Sequence, residues 1–236
     1  MLRTKLLALS TVTRIELKKI FASHLIAMTV AAFTALLLIK RGENWTTFSN
    51  NALMFLVAVI GLVGFGVISS WVFAREYTDG TFKDLLALPI NRATLFAGKL
   101  IAIELTAAIV TLLASVITLG LGWLLFPSAI TTASVGALVN KIGRTLVLNL
   151  LLADFWPLIA VKTKSTIMPA ALAFITLIVG IIFASRPLGQ VIPWAIPGYL
   201  LAHPGNLPII SHLIVWVIAD IGILGTLYCW CRQDQA

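Results

Sequence analysis

Residues 75–99 concentrate the side chains that could do chemistry in water, and long apolar runs flank them on both sides. The chain contains neither the nucleophile motif Gly-x-Ser-x-Gly nor the metal-binding motif His-Glu-x-x-His. Gly98-Lys99 does not complete a phosphate-binding loop, because Ala93 stands where that motif needs a glycine and Leu100 follows the lysine. The stretch therefore suits recognition of a partner rather than nucleotide binding.

Three carboxylates lie within apolar runs, where a centred charge costs about 2.5–3.5 kcal/mol on insertion scales. Glu104 comes soon after Lys99, and Asp154 precedes Lys162 by about two helical turns. We therefore expect both near the inner membrane surface, pairing helices or snorkelling. Asp220 lies near the middle of its run, and it either lines a translocation path or pairs with a polar group on another helix.

The sequence offers few residues that could bind a metal ion or carry out covalent catalysis. The three histidines are scattered, and Cys229 and Cys231 alone cannot supply the four ligands of a zinc site. Asp79-Gly80 invites comparison with lipid alcohol phosphotransferases, but the further aspartates of that metal-binding motif are missing. We predict no catalytic residue, no cofactor-binding residue and no metal site in this chain.

The composition indicates a membrane protein. Of 236 residues, 60% are hydrophobic and only 11% are charged, whereas a soluble domain carries about 25% charged residues. The mean hydropathy is +1.03. Spanning a hydrocarbon core takes roughly 20 apolar helical residues, and the runs are too long and too uniform for barrel strands. We predict an all-α integral membrane protein, a single transmembrane domain over residues 1–236, with six spans at residues 24–39, 52–74, 100–126, 144–161, 167–184 and 212–230.

The distribution of Lys and Arg predicts the orientation. With both termini in the cytoplasm, only five of the 17 fall outside, and the net charge of +8 is concentrated on the cytoplasmic side. Residues 40–51 and 127–140 are then outer loops, and residues 162–165 form a tight inner loop. The charge pattern reflects membrane orientation rather than nucleic-acid binding, since no separate basic domain exists. The five outer cations are Lys40, Arg41, Lys141, Arg144 and Arg186.

Residues 1–21 repeat apolar side chains at helical spacing, with Arg14, Lys18 and Lys19 on another face. This pattern predicts an interfacial helix whose cations meet anionic headgroups, acting either as an elbow that steers the first span or as a simple basic anchor. We expect no cleaved signal peptide, because this mixed polar stretch is too long for an ordinary n-region.

Residues 185–211 hold five of the nine prolines and are too broken to span yet too apolar for a solvated loop. We expect a short helix near residues 194–201 that dips into the outer interface. It either covers a substrate path as a lid-like segment or only packs the helix ends.

Within residues 75–99, the pattern predicts a short helix parallel to the membrane. Asp79-Gly80 is a turn signal, Thr81 is a plausible N-cap, and Pro89 ends the helix. Asn91 and the residues after it start the next helix. An exposed helix held at both ends suits docking into a groove on a partner. Its apolar face would be formed by Phe82, Leu85, Leu86 and Leu88.

This pattern resembles the inner loop of ABC-2-type transporter permeases. Six spans, a basic helix before the first span and both termini inside are similar to that family too. Residues 14–19 are similar to its peptide-antibiotic immunity and bacitracin-resistance branch. The residues that carry the likeness in the loop are Arg75, Glu76, Gly80, Thr81, Leu85, Leu86, Leu88, Pro89, Arg92 and Lys99.

The resemblance implies a permease half that pairs with a second copy or a related chain and binds two separate ATPase subunits. The short helix after span two would be the coupling helix, with Phe82, Leu85 and Leu86 entering a groove on the ATPase. Glu76 and Arg92 would fix its position through charge pairs, to neighbouring helices or to the partner. ATP and Mg²⁺ would bind the partner only, and the chain itself would not be an enzyme.

The predicted function is export of an amphiphilic or peptide antibiotic across a bacterial cytoplasmic membrane, conferring self-immunity or resistance. An ion-coupled carrier or pore subunit is the alternative, although a carrier would need several polar residues at mid-membrane. An intramembrane enzyme is a more distant alternative.

Overall fold

The computed structural model describes residues 2–87, 89–203 and 205–232, with side chains from Leu6 onward except that of Leu86. Every secondary-structure element of the described residues is a helix, which confirms the predicted all-α class. The α-helices are α1 (Leu2–Ala22), α2 (Leu25–Ile39), α3 (Trp45–Phe55), α4 (Phe65–Thr78), α5 (Phe82–Leu86), α6 (Arg92–Leu125), α7 (Thr132–Ala153), α8 (Trp156–Thr163), α9 (Ile167–Phe183), α10 (Ile196–Ala202) and α11 (Ile209–Arg232).

Four helical stretches in the described residues are long and apolar enough to cross a membrane, and a fifth forms if α1 and α2 count as one bent span. α9, with 17 residues, is shorter than the other candidates. A helix lies at each of the six predicted spans, but the count of six stays a prediction. The four long stretches are Trp45–Thr78, Arg92–Leu125, Thr132–Thr163 and Ile209–Arg232.

The predicted N-terminal helix is present as α1. It packs along α6 and meets α2 at a 51° bend, where His24 adopts a left-handed φ of 60°. Residues other than glycine seldom adopt this conformation, so His24 marks a distinct break between the two helices. The bend makes α1 a separate element beside the bundle, consistent with the predicted elbow.

Both predicted outer loops are shorter than expected. α3 begins at Trp45, because the Oδ1 atom of Asn44 accepts a hydrogen bond from the Thr47 amide at 2.9 Å. α7 begins at Thr132, where Thr131 and Ser134 form a reciprocal capping box. The predictions of loops over residues 40–51 and 127–140 were therefore wrong for most of each range. Polar capping residues start these helices before their apolar sequence begins.

The second predicted span changes its helical geometry in the middle. Residues Leu56–Gly64 form a π-helix, which continues into α4. A Cβ at Gly61 would collide with the Asn149 amide, so this glycine lets α7 approach the π-helix closely. In the same way, Gly222 of α11 faces the backbone of Asp154. Both glycines therefore allow a neighbouring helix to approach closely.

The broken segment after α9 contains the predicted short helix, α10, preceded by 3₁₀ turns at Pro187–Gln190 and Pro193–Ala195. Ala195 and Ile196 are fully buried, and α10 lies against α7 and α9. α4 leads into α5 and α6 leads away from it, so both helices extend from α5 to the other end of the bundle. We call these the α5 end and the distal end. The segment lies at the distal end.

Candidate functional site

α5 lies in the connection between α4 and α6. Gly80 turns the chain there with a φ of +70°, a left-handed conformation that favours glycine. Thr81 occupies the N-cap position of α5, as predicted, but its side chain makes no capping hydrogen bond. α5 ends before Pro89, and the Asn91 side chain accepts a hydrogen bond from the Ala93 amide at 2.9 Å to begin α6.

The ring of Phe82 points into the chain's own interior and is only 4% exposed. It stacks on Tyr77 at 4.2 Å between ring centroids and meets the edge of Trp230 at 5.2 Å. Leu85 is half-buried against the same core. The sequence suggested that Phe82 enters a groove on a partner. In this conformation Phe82 instead anchors α5 to the bundle and is not available for that contact.

Among the described side chains of α5, Lys83 and Asp84 are exposed. The side chain of Leu86 and the whole of Leu88 lie outside the described residues. Docking by α5 stays a prediction, and Lys83 and Asp84 join the side chains that could make the contact.

Behind α5, a buried charge cluster joins three helices. The Lys99 ammonium is 1% exposed and donates to Glu76 at 2.7 Å, to Glu16 at 3.3 Å and to the Val72 carbonyl at 2.8 Å. Lys19 also pairs with Glu16, at 2.7 Å, and lies 3.5 Å from Glu76. Two acids and two bases thus neutralise one another where α1, α4 and α6 meet.

The sequence predicted that Glu76 forms a charge pair with a neighbouring helix or with a partner protein. In the structure Glu76 pairs with Lys99 of α6. Sequence reasoning missed Glu16 and Lys19 as members of this cluster. The available signal was an acid among the bases of an interfacial helix, at residues 14–19, in a chain with few acids.

Arg92 connects the same region to the last helix. Its Nη1 donates to the Cys231 carbonyl at 3.2 Å, next to the end of α11. A cation at the end of a helix satisfies a free carbonyl and interacts favourably with the helix dipole. Together with Phe82 against Trp230, this bond fixes the α5 connection to α11.

The three intramembrane carboxylates do not form one site. Glu104 on α6 and Asp154 at the end of α7 are close enough to interact electrostatically, and their expected helix-pairing role stays a prediction. Asp220 is separate and exposed on α11, with no ion pair to any described residue.

No group of three or more His, Cys, Asp or Glu side chains in the described residues could hold a metal ion. α5 lies in the connection between two of the long apolar stretches of a multi-span helical bundle, Trp45–Thr78 and Arg92–Leu125.

Comparison with known proteins identifies the class. Residues 14–180 match the family model described as ABC-2 family transporter protein, so the chain belongs to this family. It is also similar to the bacitracin transport permease protein BCRB of Bacillus licheniformis, with 40% identity over 76 residues. That match covers 32% of this chain and 36% of the relative's length.

The chain is therefore a multi-pass ABC-2 transporter permease, a non-catalytic membrane subunit of a family that carries no cofactor. ABC-2 permeases function with ABC ATPases as partners. Family membership replaces the two alternatives, an ion-coupled carrier and an intramembrane enzyme.

Proposed function

We propose that this chain is the membrane subunit of an ATP-driven exporter of an amphiphilic or peptide antibiotic. The family match supports the permease role, and the likeness to a bacitracin transport permease supports the class of cargo. Export of this kind confers resistance or self-immunity on a bacterium. Two permease copies, or this chain with a related one, form the pathway, and two ATPase subunits bind them.

The proposed topology has six spans with both termini in the cytoplasm. α2 and α9 supply the two spans that are shorter than the rest, with 15 and 17 residues. At 1.5 Å per residue they extend about 22 and 26 Å, against a core of about 30 Å. Local thinning of the bilayer accommodates such a mismatch at modest cost. This topology places α5 in the cytoplasm, where an ATPase can reach it.

α5 acts as the coupling helix in this proposal. The observation that carries it is the bracing of α5 on its bundle side by Phe82 against Trp230, Arg92 against α11, and the buried charge cluster behind it. Because packed cores resist continuous deformation, a push on α5 moves α1, α4, α6 and α11 together. The ATPase supplies the push, and the spans tilt as rigid bodies between inward-open and outward-open states.

The contact with the ATPase is assigned to the exposed residues Lys83 and Asp84, with Gly80 and Pro89 setting the ends of the projecting turn. Glu76, Phe82, Leu85 and Arg92 hold α5 in position from within the permease. This assignment replaces the groove-filling role first expected for Phe82.

Co-purification with candidate ABC ATPases from the same genome tests the docking. We expect the charge reversals Lys83→Glu and Asp84→Lys to reduce the bound ATPase by about tenfold, since rim charges govern complementarity and the wrong sign is penalised. Lys162→Glu, an exposed reversal in the last turn of α8, is the matched control and should retain the ATPase. Wild-type binding by both α5 variants would refute the docking role of α5.

A second assay tests the cargo. Cells that express the permease with its ATPase should survive bacitracin better than cells that express either subunit alone. Equal survival, with both subunits present in the membrane, would refute this cargo while leaving the docking result unchanged.

A further inference from the structure

A cavity of about 390 Å³ opens at the distal end, between the α3–π-helix stretch and α9, with α10 along one side. This volume lies in the range of small-molecule sites, about 300–1,000 Å³. Its wall is mainly apolar and includes Leu53, Met54, Val57, Ala58, Leu62 and Ile181.

The depth of the cavity matches one leaflet of a bilayer. Asn50 lies at its distal end and Leu62 lies further along the same continuous helical stretch. At no more than 1.5 Å per residue, the two are separated by roughly 18 Å or less along the helix. Half of a hydrocarbon core is about 15 Å. The cavity therefore has the length needed for one hydrocarbon chain of a lipid-like molecule.

The polar groups at the cavity are concentrated at its distal end. Asn50 and Lys141 both line it and both are exposed, and Lys141 forms no ion pair with any described residue. Trp194 lies nearer the Leu62 end of the wall, where its ring packs on Phe155 and Trp156. At the distal end, a cation and an amide whose side chains form no ion pair or hydrogen bond with a described residue together favour a ligand with an anionic, oxygen-rich head group.

The charge distribution around the cavity also favours an anionic head group. The five basic residues predicted for the outer side belong to the distal end, where Glu43 is the one acidic residue among those described. The apolar wall of the cavity is also formed in part by the π-helix, a rare geometry that occurs frequently at functional sites.

We propose that this cavity binds the hydrocarbon chain of an anionic amphiphile, with Lys141 and Asn50 contacting its head group. The apolar wall accepts the chain at the depth of one leaflet, and Lys141 selects for negative charge. The binding does not require the ATPase, so its failure would leave the proposed docking of α5 intact.

Native mass spectrometry of the full-length protein in a neutral maltoside detergent measures this binding. Hexadecyl phosphate is the probe, and hexadecylphosphocholine, with the same chain and no net charge, is the head-group comparison. We expect one bound hexadecyl phosphate per chain with an affinity about tenfold higher than that of the zwitterion, a difference of about 1.4 kcal/mol.

Two substitutions locate the site, each with a matched control. Lys141→Gln should remove the preference for the phosphate, whereas Lys40→Gln, at an exposed distal lysine outside the cavity lining, should retain it. Ile181→Trp should fill the cavity and reduce binding by about tenfold. Ile178→Trp is its control, because Ile178 lies on the same helix, does not line the cavity and is 58% exposed against 59% for Ile181.

Equal affinities for the two probes, or equal binding by Lys141→Gln and Lys40→Gln, would overturn the proposal, because the ligand would then be held by its chain alone. Equal binding by the two tryptophan variants would place the ligand elsewhere and would overturn it as well. If Ile181→Trp does not fold, the head-group comparison and the two lysine variants still decide.

Discussion

The buried charge cluster near the α5 end and the basic residues of the distal end differ in whether ion pairs within the chain compensate their charges. At the α5 end, Lys99 and Lys19 are paired with Glu16 and Glu76 inside the protein. At the distal end, five basic residues accompany one acid, and none of those cations forms an ion pair with a described residue. The buried cluster is neutralised within the chain, whereas the distal cations depend on what surrounds them.

This difference separates a mechanical role from a binding role. Buried pairs are costly to break, so the charge cluster makes α1, α4 and α6 move as one unit when α5 is pushed. Exposed cations cost little to hold and attract anionic groups over a Debye length. The α5 end is therefore built to transmit a displacement and the distal end to meet a ligand or headgroups.

The largest expected effect is the loss of the buried ammonium. Lys99→Met leaves Glu16 and Glu76 with only the partly exposed Lys19 for compensation. Breaking a buried ion pair in this way costs about 3–5 kcal/mol. We expect a clearly lower melting temperature of the purified protein, measured in detergent, and poor recovery from membranes.

The double variant Lys99→Met with Glu76→Gln is the control for this result. It removes the uncompensated carboxylate along with the ammonium, so it should recover part of the lost stability. A single Lys99→Met variant as stable as the wild type would show that the cluster does not hold α1, α4 and α6 together.

Local signals in the sequence predicted much of this end. Gly80 and Asn91 stand at the turn and the cap that the sequence indicated, because both act over a few residues. The partners of Lys99 and Phe82 were not predictable in the same way. Glu16 and Trp230 lie far away in the sequence, and only the packing of α1 and α11 brings them close. The pattern of a five-residue helix does not fix its rotation, so its apolar face was assigned to a partner rather than to the core.

A smaller effect is expected from Phe82→Ala. Truncating a buried phenylalanine costs about 3–5 kcal/mol in a rigid core, and we expect a value near the lower limit because α5 is short and peripheral. The loss should loosen α5 from Tyr77 and Trp230 rather than unfold the bundle. The reaction of half-buried Cys229 with a maleimide should accelerate, whereas the melting temperature should fall less than in Lys99→Met.

Bound ATPase gives a second measure for the same variant. If Phe82 anchors α5, then Phe82→Ala weakens ATPase binding together with faster labelling of Cys229. Weaker binding with unchanged labelling would return Phe82 to the role of a direct contact in the partner's groove.

Substitution of Asp220, which lies on α11 between the two ends, tests whether this part of the bundle lines a path or contacts a second permease. It is an exposed carboxylate on α11, where Trp216 and Leu224 share its face one turn away on either side. A carboxylate facing lipid is costly, so we propose that a second permease copy or a water-filled path covers it. Asp220→Asn should lower transport while the protein still assembles with its ATPase. Normal transport by this variant would refute the path, and loss of the permease pair on a sizing column would indicate pairing instead.

The smallest effect is expected at the distal end, from Lys40→Met. This side chain is exposed and unpaired among the described residues, so its removal should change stability by no more than about 0.5 kcal/mol. The measurement is the same melting temperature in detergent, with Lys99→Met as the reference for a paired lysine of the opposite end. A loss close to that of Lys99→Met would mean that a partner chain neutralises the distal cations. In that case the distal charge would no longer argue for an anionic ligand.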